Sequence, residues 1–131
     1  MRAGLAIVAL TAGLAGCGGS GGPAAPGPSG PVAIDLIQID SVDVVFLASA
    51  PVEVGAHVRG IVGDGCSELL PIRQSRDGNQ VTIRISRQRP VDAICTQIAK
   101  LFDSTIRLEG VFPAGSYALD VNHVRVPFQV P

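Results

Sequence analysis

The sequence predicts an all-β domain, a single antiparallel β-sandwich of about seven to eight short strands. In several stretches of the second half, apolar residues alternate with polar ones, which is the period of a half-buried strand. Turn-forming glycine, proline and aspartate residues separate these stretches at close spacing. The chain has 131 residues, too few to favour a second domain.

The strands follow one another in this order. VAIDLIQI and SVDVVFL are rich in branched residues but alternate less regularly. In PVEVGAHVRG and NQVTIRIS the aliphatic residues fall at every second position, so they share one face of each strand. STIRLEG, SYALDV and HVRVPFQV repeat the pattern, and their apolar residues are expected to point into the core.

Proline and glycine indicate where strands lie at an edge or turn. SELLPIRQ is a candidate short strand whose proline suggests an edge or a bulge, and Pro127 places the last strand at an edge or with its missing donor facing out. Asp77-Gly78 predicts a hairpin between LLPIRQSR and NQVTIRI. The segments 63–65 (GDG) and 112–115 (FPAG) are expected to be loops.

One stretch departs from the period of two. In VDAICTQIAKLF the apolar residues fall at helical spacing, and a proline precedes them. Its β-branched residues argue against a long helix. We therefore expect an irregular crossover with one helical turn over residues 90–102.

The N-terminal segment is typical of a secretory signal. Met1 and Arg2 give a positive start, and Leu5 to Leu14 is mostly apolar. The apolar run is shorter than the roughly 20 residues needed to cross a bilayer, so a permanent transmembrane helix is disfavoured. Residues 1–16 are therefore predicted to be a signal peptide.

The end of this signal, LAGC, resembles the lipobox of bacterial lipoproteins. The resemblance implies that the Cys17 thiol receives a diacylglycerol, that the signal is cut before it, and that the new amino group is acylated, for example with palmitate. An ordinary secretory signal with a chance cysteine is the alternative. Gly18 in place of aspartate favours, by the same resemblance, an outer membrane if the organism has one, with the protein facing the periplasm or the surface.

Residues 17–31 follow as the lipidated cysteine and a linker of Gly, Pro, Ser and Ala. This composition offers nothing to bury, so a disordered tether is expected. Residues 32–131 then form the sandwich domain. Loss of Arg2 with the signal leaves the mature protein mildly acidic, and no basic footprint for nucleic acid is present.

The two cysteines that remain after lipidation are Cys66 and Cys95. An exported chain meets oxidising conditions, so an even count predicts a disulfide bond, with two buried thiols as the alternative. The bond would close a loop of about 30 residues and contribute about 3–4 kcal/mol on the chain-entropy model. No further Cys or His residues cluster with them, so no metal is expected.

The segments GDGC, GNQVTIRISRQRPVDAICTQ and LFDSTIRLEGVFPAGSYALDVNHVRVPFQV resemble a group of uncharacterised bacterial secreted proteins and lipoproteins. The small domain of that group is immunoglobulin-like, so the resemblance implies an immunoglobulin-like sandwich. It brings no activity. Residues 113–117 (PAGSY) also resemble the tyrosine corner of sandwich domains. The match departs from the group at Leu101, where related chains often have proline, and the absence of tryptophan excludes an antibody-type core.

Catalytic chemistry finds little support in the residues. His57 and His123 fall on the polar sides of their strands, where solvent exposure is expected. A triad of Ser116, Asp120 and His123 can be drawn on one outer face, but no nucleophile elbow accompanies it. With no Trp, one Tyr and four Phe that look buried, a sugar-binding platform is disfavoured. No catalytic residue and no cofactor are predicted.

The remaining candidate site is a cluster of arginines. Five of them lie within 17 positions: Arg73, Arg76, Arg84, Arg87 and Arg89. The predicted hairpin would bring them together as a basic patch. Such a patch either protects a sheet edge or docks an anionic partner.

Two functions from different classes follow. The first is a lipid-anchored, monomeric, non-catalytic module that binds or scaffolds an envelope protein or an anionic surface component. The alternative is an inhibitor of a periplasmic or extracellular hydrolase, since small β domains can present rigid loops to a cleft.

Overall fold

The computed structural model describes residues 30–131, which are all β with no helix. The predicted signal peptide, Cys17 and nearly all of the linker lie outside the described residues. Ten strands follow one another: β1 (Val32–Leu36), β2 (Gln38–Ser49), β3 (Val52–Gly63), β4 (Glu68–Leu69), β5 (Arg73–Asp77), β6 (Gln80–Arg84), β7 (Ser86–Pro90), β8 (Lys100–Arg107), β9 (Gly115–Val121) and β10 (Val124–Val130).

The strands form three sheets, of order β2-β3-β8, β10-β9-β6-β5 and β1-β7-β4. All pairs are antiparallel except β6 with β9, which is parallel. The parallel pair differs from the fully antiparallel arrangement that the sequence predicts. It arises because the connection from β6 to β9 runs through β7 and β8, which belong to the two other sheets. A parallel pair needs such a long crossover, whereas a short hairpin loop joins antiparallel strands.

There are more strands than the seven to eight expected because SELLPIRQ divides between β4 and β5 and because a further strand, β7, follows NQVTIRIS. The chain breaks at Ile37, between β1 and β2, and again at Ile85, between β6 and β7. At each break the chain passes from one sheet to another, while the side chain itself stays buried. The two breaks lie side by side, because the Ile37 N–H donates to the Ile85 carbonyl at 3.0 Å.

The core lies between the β2-β3-β8 sheet and the β10-β9-β6-β5 sheet, and the predicted alternation supplies it. Val54, Ala56 and Val58 of β3 are fully buried, as are Ile83 of β6 and Leu119 of β9. Branched side chains at every second position fill the space between two pleated surfaces without leaving polar groups inside. The inward faces predicted for these strands are confirmed.

Asn122 holds the two sheet breaks together. It sits in the β9–β10 turn at φ 48°, the left-handed region that asparagine tolerates. Its amide nitrogen donates to the carbonyls of Ile37 (3.0 Å) and Ile85 (2.8 Å), and its amide oxygen accepts from the Ile85 N–H at 2.9 Å. These are the buried backbone groups that lose a ladder partner where the strands change sheet.

Replacing Asn122 with alanine is therefore expected to destabilise the fold by about 2–3 kcal/mol, because three hydrogen bonds to half-buried backbone groups are lost together. Urea unfolding followed by circular dichroism measures the change. Asn79→Ala serves as the control, since its side chain makes one hydrogen bond, to the exposed Ser116 carbonyl. Equal destabilisation by the two substitutions would contradict the role given to Asn122.

The turn and edge predictions are also confirmed. Gly78 lies in the β5–β6 turn at φ 58°, as a hairpin at Asp77-Gly78 requires. β4 and β10 are edge strands, so Pro127 removes no central ladder bond. The Tyr117 hydroxyl donates to the Pro113 carbonyl at 2.7 Å, which is the tyrosine corner.

The segment between β7 and β8 is an irregular crossover, as expected, but residues 91–99 contain no helical turn. Of its apolar residues Val91, Ile94 and Ile98 are exposed, so their helical spacing does not mark a buried face. A disulfide bond and contacts to the preceding loop hold this segment instead. Across residues 30–131, nothing has the form of a helix long and apolar enough to span a membrane.

Candidate functional site

Arg73 and Arg84 are brought together as the hairpin predicts. They stand directly opposite each other in the β5–β6 ladder, on the outer face of the sheet. Arg73 is exposed and makes no ion pair within residues 30–131. Two guanidinium groups at neighbouring positions form a cationic pair suited to carboxylate or phosphate.

Arg76 does not join this pair, contrary to the predicted patch. It lies three positions after Arg73, and because side chains alternate along a strand, an odd spacing places the two side chains on opposite faces. Its guanidinium lies over the Phe112 ring, 4.4 Å from the ring centre, and donates to the Val111 carbonyl at 2.7 Å. Arg76 therefore covers the edge of the core.

Arg87 and Arg89 are also elsewhere, on the other side of the break at Ile85. Arg87 donates to the Val62 carbonyl at 2.8 Å, and Arg89 forms an ion pair with Asp64 at 2.6 Å. Both side chains hold the loop that follows β3. Gly63, at φ 143°, makes room for Arg87, since a Cβ there would lie 1.9 Å from the Arg87 guanidinium. Only two of the five predicted arginines thus share a surface.

A third arginine, which the sequence analysis missed, joins them. Arg125 of β10 lies 3.4 Å from the Asp120 carboxylate, which also pairs with Arg84 at 2.5 Å. Burial raises the pKa of Asp120, but the hydrogen bonds from Arg84 and from the His123 N–H outweigh it, so the pKa lies below its ordinary value. One buried carboxylate thus positions Arg84 and Arg125, and the three arginines keep a net positive charge.

An open groove adjoins this charge. We name it the arginine groove, and it has a volume of about 480 Å³. Apolar residues of β1 and of the β4–β5 connection line it together with Ser86 and two arginines. The lining residues are Ile34, Leu36, Leu70, Pro71, Arg73, Arg84 and Ser86. An apolar lining that includes cationic groups suits an anionic partner that also carries apolar groups.

The two remaining cysteines are joined in the structure. Cys66 and Cys95 form a disulfide bond with Cα atoms 5.5 Å apart, within the usual range. The bond ties the loop after β3 to the crossover before β8, as predicted. Beside it, the Gly65 N–H donates to the Thr96 carbonyl at 3.0 Å. A Cβ on Gly65 would lie 2.0 Å from the Thr96 hydroxyl, so the close approach requires glycine.

Asp64, Cys66 and Cys95 come close enough together to suggest a metal site in the described part of the chain. Both sulfurs are used by the disulfide, however, and neither is a free thiolate ligand. Burial raises the pKa of Asp64, but hydrogen bonds from Arg89, Ser67 and the Cys66 N–H outweigh it and lower the pKa. The Asp64 carboxylate thus stabilises the loop after β3 through these hydrogen bonds.

The crossover carries the most exposed large hydrophobic side chain of the described residues. We name residues 91–99 the aliphatic loop. Ile94 is 102% exposed and Ile98 74% exposed, and Val91 is about half exposed. The N–H groups of residues 92–99 donate to no acceptor within residues 30–131. Three exposed aliphatic residues in nine form an unusual surface, whereas single ones are normal.

The candidate triad is not assembled. Asp120 is only 4% exposed and binds two arginines, and the exposed Ser116 hydroxyl lies near Gln129. Asp120 is thus engaged by arginines and is not available to orient His123. His57 pairs with Asp103 at 2.6 Å, and this hydrogen bond holds the pKa of Asp103 below its ordinary value. Phe46, expected inside, is half exposed at the end of β2.

Comparisons with known proteins agree with the fold. A family model described as the ORF11 beta-sandwich domain matches residues 56–130, more than half of the chain. An uncharacterised 10.2 kDa protein in the HgiCIIM 5′ region of Herpetosiphon aurantiacus is 35% identical over 88 residues, which is 67% of this chain and 94% of the relative. Another, in the HgiBIM 5′ region of that organism, is 34% identical over 76 residues, 58% of this chain and 93% of the relative. No solved structure matches.

Proposed function

This chain belongs to the ORF11 beta-sandwich domain family, and from that premise we propose that it is a lipid-anchored cell-envelope protein whose sandwich is a non-catalytic binding module. Acylated Cys17 is the anchor, and the linker connects it to the domain at Gly30. The module binds an envelope protein or an anionic surface component.

The anchor is supported by the sequence of the N-terminus and by the disulfide bond. The LAGC end of a short apolar segment has the form of a lipobox. Disulfides persist in oxidising compartments and are rare in the cytosol, so the Cys66–Cys95 bond supports export. The two observations are independent, because one concerns residues 1–17 and the other the folded domain.

The arginine groove is the single observation that supports the binding module. Exposed Arg73 has no acidic partner within residues 30–131, and Arg125 shares Asp120 with Arg84. The protein as a whole is mildly acidic, so this local positive charge is not a general property of its surface. A partner with carboxylate or phosphate groups would satisfy the guanidinium donors.

Replacing Arg73 and Arg125 with glutamate is expected to reduce the envelope material captured by the purified protein at least tenfold at low salt. The two substitutions replace two positive charges at and near the groove by two negative ones, a change of four units, so attraction of an anionic partner becomes repulsion. Capture by the wild type should also fall as salt rises from about 0.05 to 0.5 M, because exposed charges are screened over shorter distances. Quantitative mass spectrometry of the captured components gives the measurement.

Arg59→Glu with Arg107→Glu is the matched control. It makes the same change of charge on the β2-β3-β8 sheet, where these arginines pair with Asp103 and Glu53. Circular dichroism establishes that both double variants are folded. If the groove variant and the control capture the same partners with the same salt response, the groove is not the binding surface.

An inhibitor of a periplasmic or extracellular hydrolase is the second candidate. The aliphatic loop favours it, since the N–H groups of residues 92–99 donate to no acceptor within residues 30–131 and a disulfide fixes the position of the loop. Substrate clefts of peptidases bind extended segments through such backbone groups. Stoichiometric inhibition of a hydrolase from the envelope, lost on loop substitution, would support this candidate over the first.

A further inference from the structure

We propose that the aliphatic loop docks onto the membrane to which the protein is anchored, inserting Val91, Ile94 and Ile98 at the level of the lipid headgroups. The proposal rests on the proposed lipid anchor. It adds an orientation, with the crossover side of the domain against the bilayer, and it assigns the loop a ligand, the apolar boundary of a lipid surface.

The place where the tether joins the domain is the first argument. The Val91 N–H donates to the Pro31 carbonyl at 3.0 Å, and Val32 pairs with Pro90 in the β1–β7 ladder. The loop therefore begins beside the residue at which the N-terminal segment enters the domain. Since a chain spans at most about 3.5 Å per residue, Gly30 lies within about 45 Å of Cys17. A loop beside this attachment point is thus kept near the membrane.

The second argument is that the loop is held in position while its side chains remain in water. The Cys66–Cys95 bond fixes its middle, the Gly65–Thr96 hydrogen bond lies beside it, and Lys100 donates to the Ser67 carbonyl at 2.9 Å just after it. The aliphatic side chains consequently have no route into the core. A fixed loop loses little conformational freedom on docking, which favours binding.

The charge of the loop defines the kind of surface it fits. Between positions 91 and 99 there is no Lys or Arg, and Asp92 is the one acid. Attraction to anionic headgroups therefore contributes little, and burial of aliphatic surface supplies the affinity. The unpaired backbone N–H groups must keep water or headgroup partners, since the hydrocarbon region offers none. Docking is accordingly shallow, limited to side chains, and insensitive to salt.

Tethering makes such weak docking effective. Three aliphatic side chains bind a bilayer weakly from solution, but a short tether raises the effective concentration of the loop at the surface to the millimolar range. Docking in turn adds to the membrane affinity that the acyl chains provide. The loop and the arginine groove serve different ligands, and they differ in their response to salt.

The wild-type protein contains no tryptophan, so one introduced indole reports on one position. Ile94→Trp in the acylated protein, placed in phosphatidylcholine vesicles, is expected to show a blue-shifted emission. Lipids brominated near the headgroup should quench this emission at least threefold more than they quench the emission of a control variant. The quenching should persist at high salt. Val111→Trp is the matched control. Val111 is 77% exposed and lies beside Arg76, near the β5–β6 turn and outside the aliphatic loop.

A second arm separates this proposal from the lipid anchor. A hexahistidine tag placed before residue 18 attaches the mature chain to nickel-chelating vesicles without acylation. The indole at position 94 could be quenched in this arm while Cys17 is found unmodified in cells. That combination would support docking of the loop and would overturn the lipid anchor. Acylation without quenching at position 94 in either arm would overturn docking. Ile98→Asp in the Ile94→Trp background should reduce the quenching at least threefold.

A protein ligand for the loop is the remaining outcome. If the indole at position 94 is not quenched by vesicles, but the wild-type protein inhibits subtilisin or elastase stoichiometrically and Ile94→Asp abolishes this, the loop binds a peptidase cleft. That result would overturn membrane docking and establish the inhibitor candidate.

Discussion

Replacing both Cys66 and Cys95 with serine is expected to lower the free energy of unfolding by about 3–4 kcal/mol. The bond closes a loop that contains β4 to β7, so its loss gives the unfolded chain more freedom. The aliphatic loop should also detach from the turn at Gly65. Urea unfolding of the double variant, followed by circular dichroism, measures the difference.

The Cys17→Ala protein is the appropriate background, because Cys66 and Cys95 are then its only cysteines. Adding reductant to that protein should reproduce the unfolding curve of the serine variant. A serine variant with the midpoint and slope of its parent would show that the bond contributes nothing to stability.

Replacing Cys17 with alanine is expected to move nearly all of the protein from the membrane fraction to the soluble fraction. Two or three acyl chains hold a protein firmly, whereas a docked loop alone binds weakly and reversibly. Fractionation of a bacterial host expressing each form, with immunoblotting, measures the distribution. Ser20→Ala, a similar small change near the cysteine, should leave the protein in the membrane. Wild-type protein that is already soluble would contradict the prediction.

Much of the fold could be predicted because strand alternation is a local property. The inward residues of β3, β6 and β9 were identified from period two alone, and the Asp77-Gly78 hairpin from turn chemistry. The sheet breaks at Ile37 and Ile85 could not be predicted, since no glycine or proline stands at or next to either position. The breaks depend on Asn122, which is 85 residues from Ile37 in the chain.

The prediction of the basic patch was less accurate, because residues that are close in sequence were assumed to be close on the surface. The odd spacing of Arg73 and Arg76 already implied opposite faces, so that error could have been avoided. The positions of Arg87 and Arg89 outside the patch could not have been foreseen, because each residue's partner, Val62 or Asp64, is 25 residues away in the chain. Arg125 was likewise outside the local pattern, and it is the β9–β10 pairing that places it opposite Asp120, the partner of Arg84.

Exposure of the aliphatic loop also ran against the sequence pattern. Apolar residues at helical spacing ordinarily predict a helix with a buried face. Here the disulfide and the Val91–Pro31 hydrogen bond fix an irregular path, and the side chains remain outside. A short bridge to Cys66 thus overrides the local helical preference of residues 91–99.

The intact mass of the protein extracted from host membranes tests the lipid-anchored assignment most directly. A chain that begins at Cys17 and carries the added mass of a diacylglycerol and an N-linked acyl group is the predicted result. A chain that still begins at Met1, or one that begins elsewhere with an unmodified thiol, would contradict it.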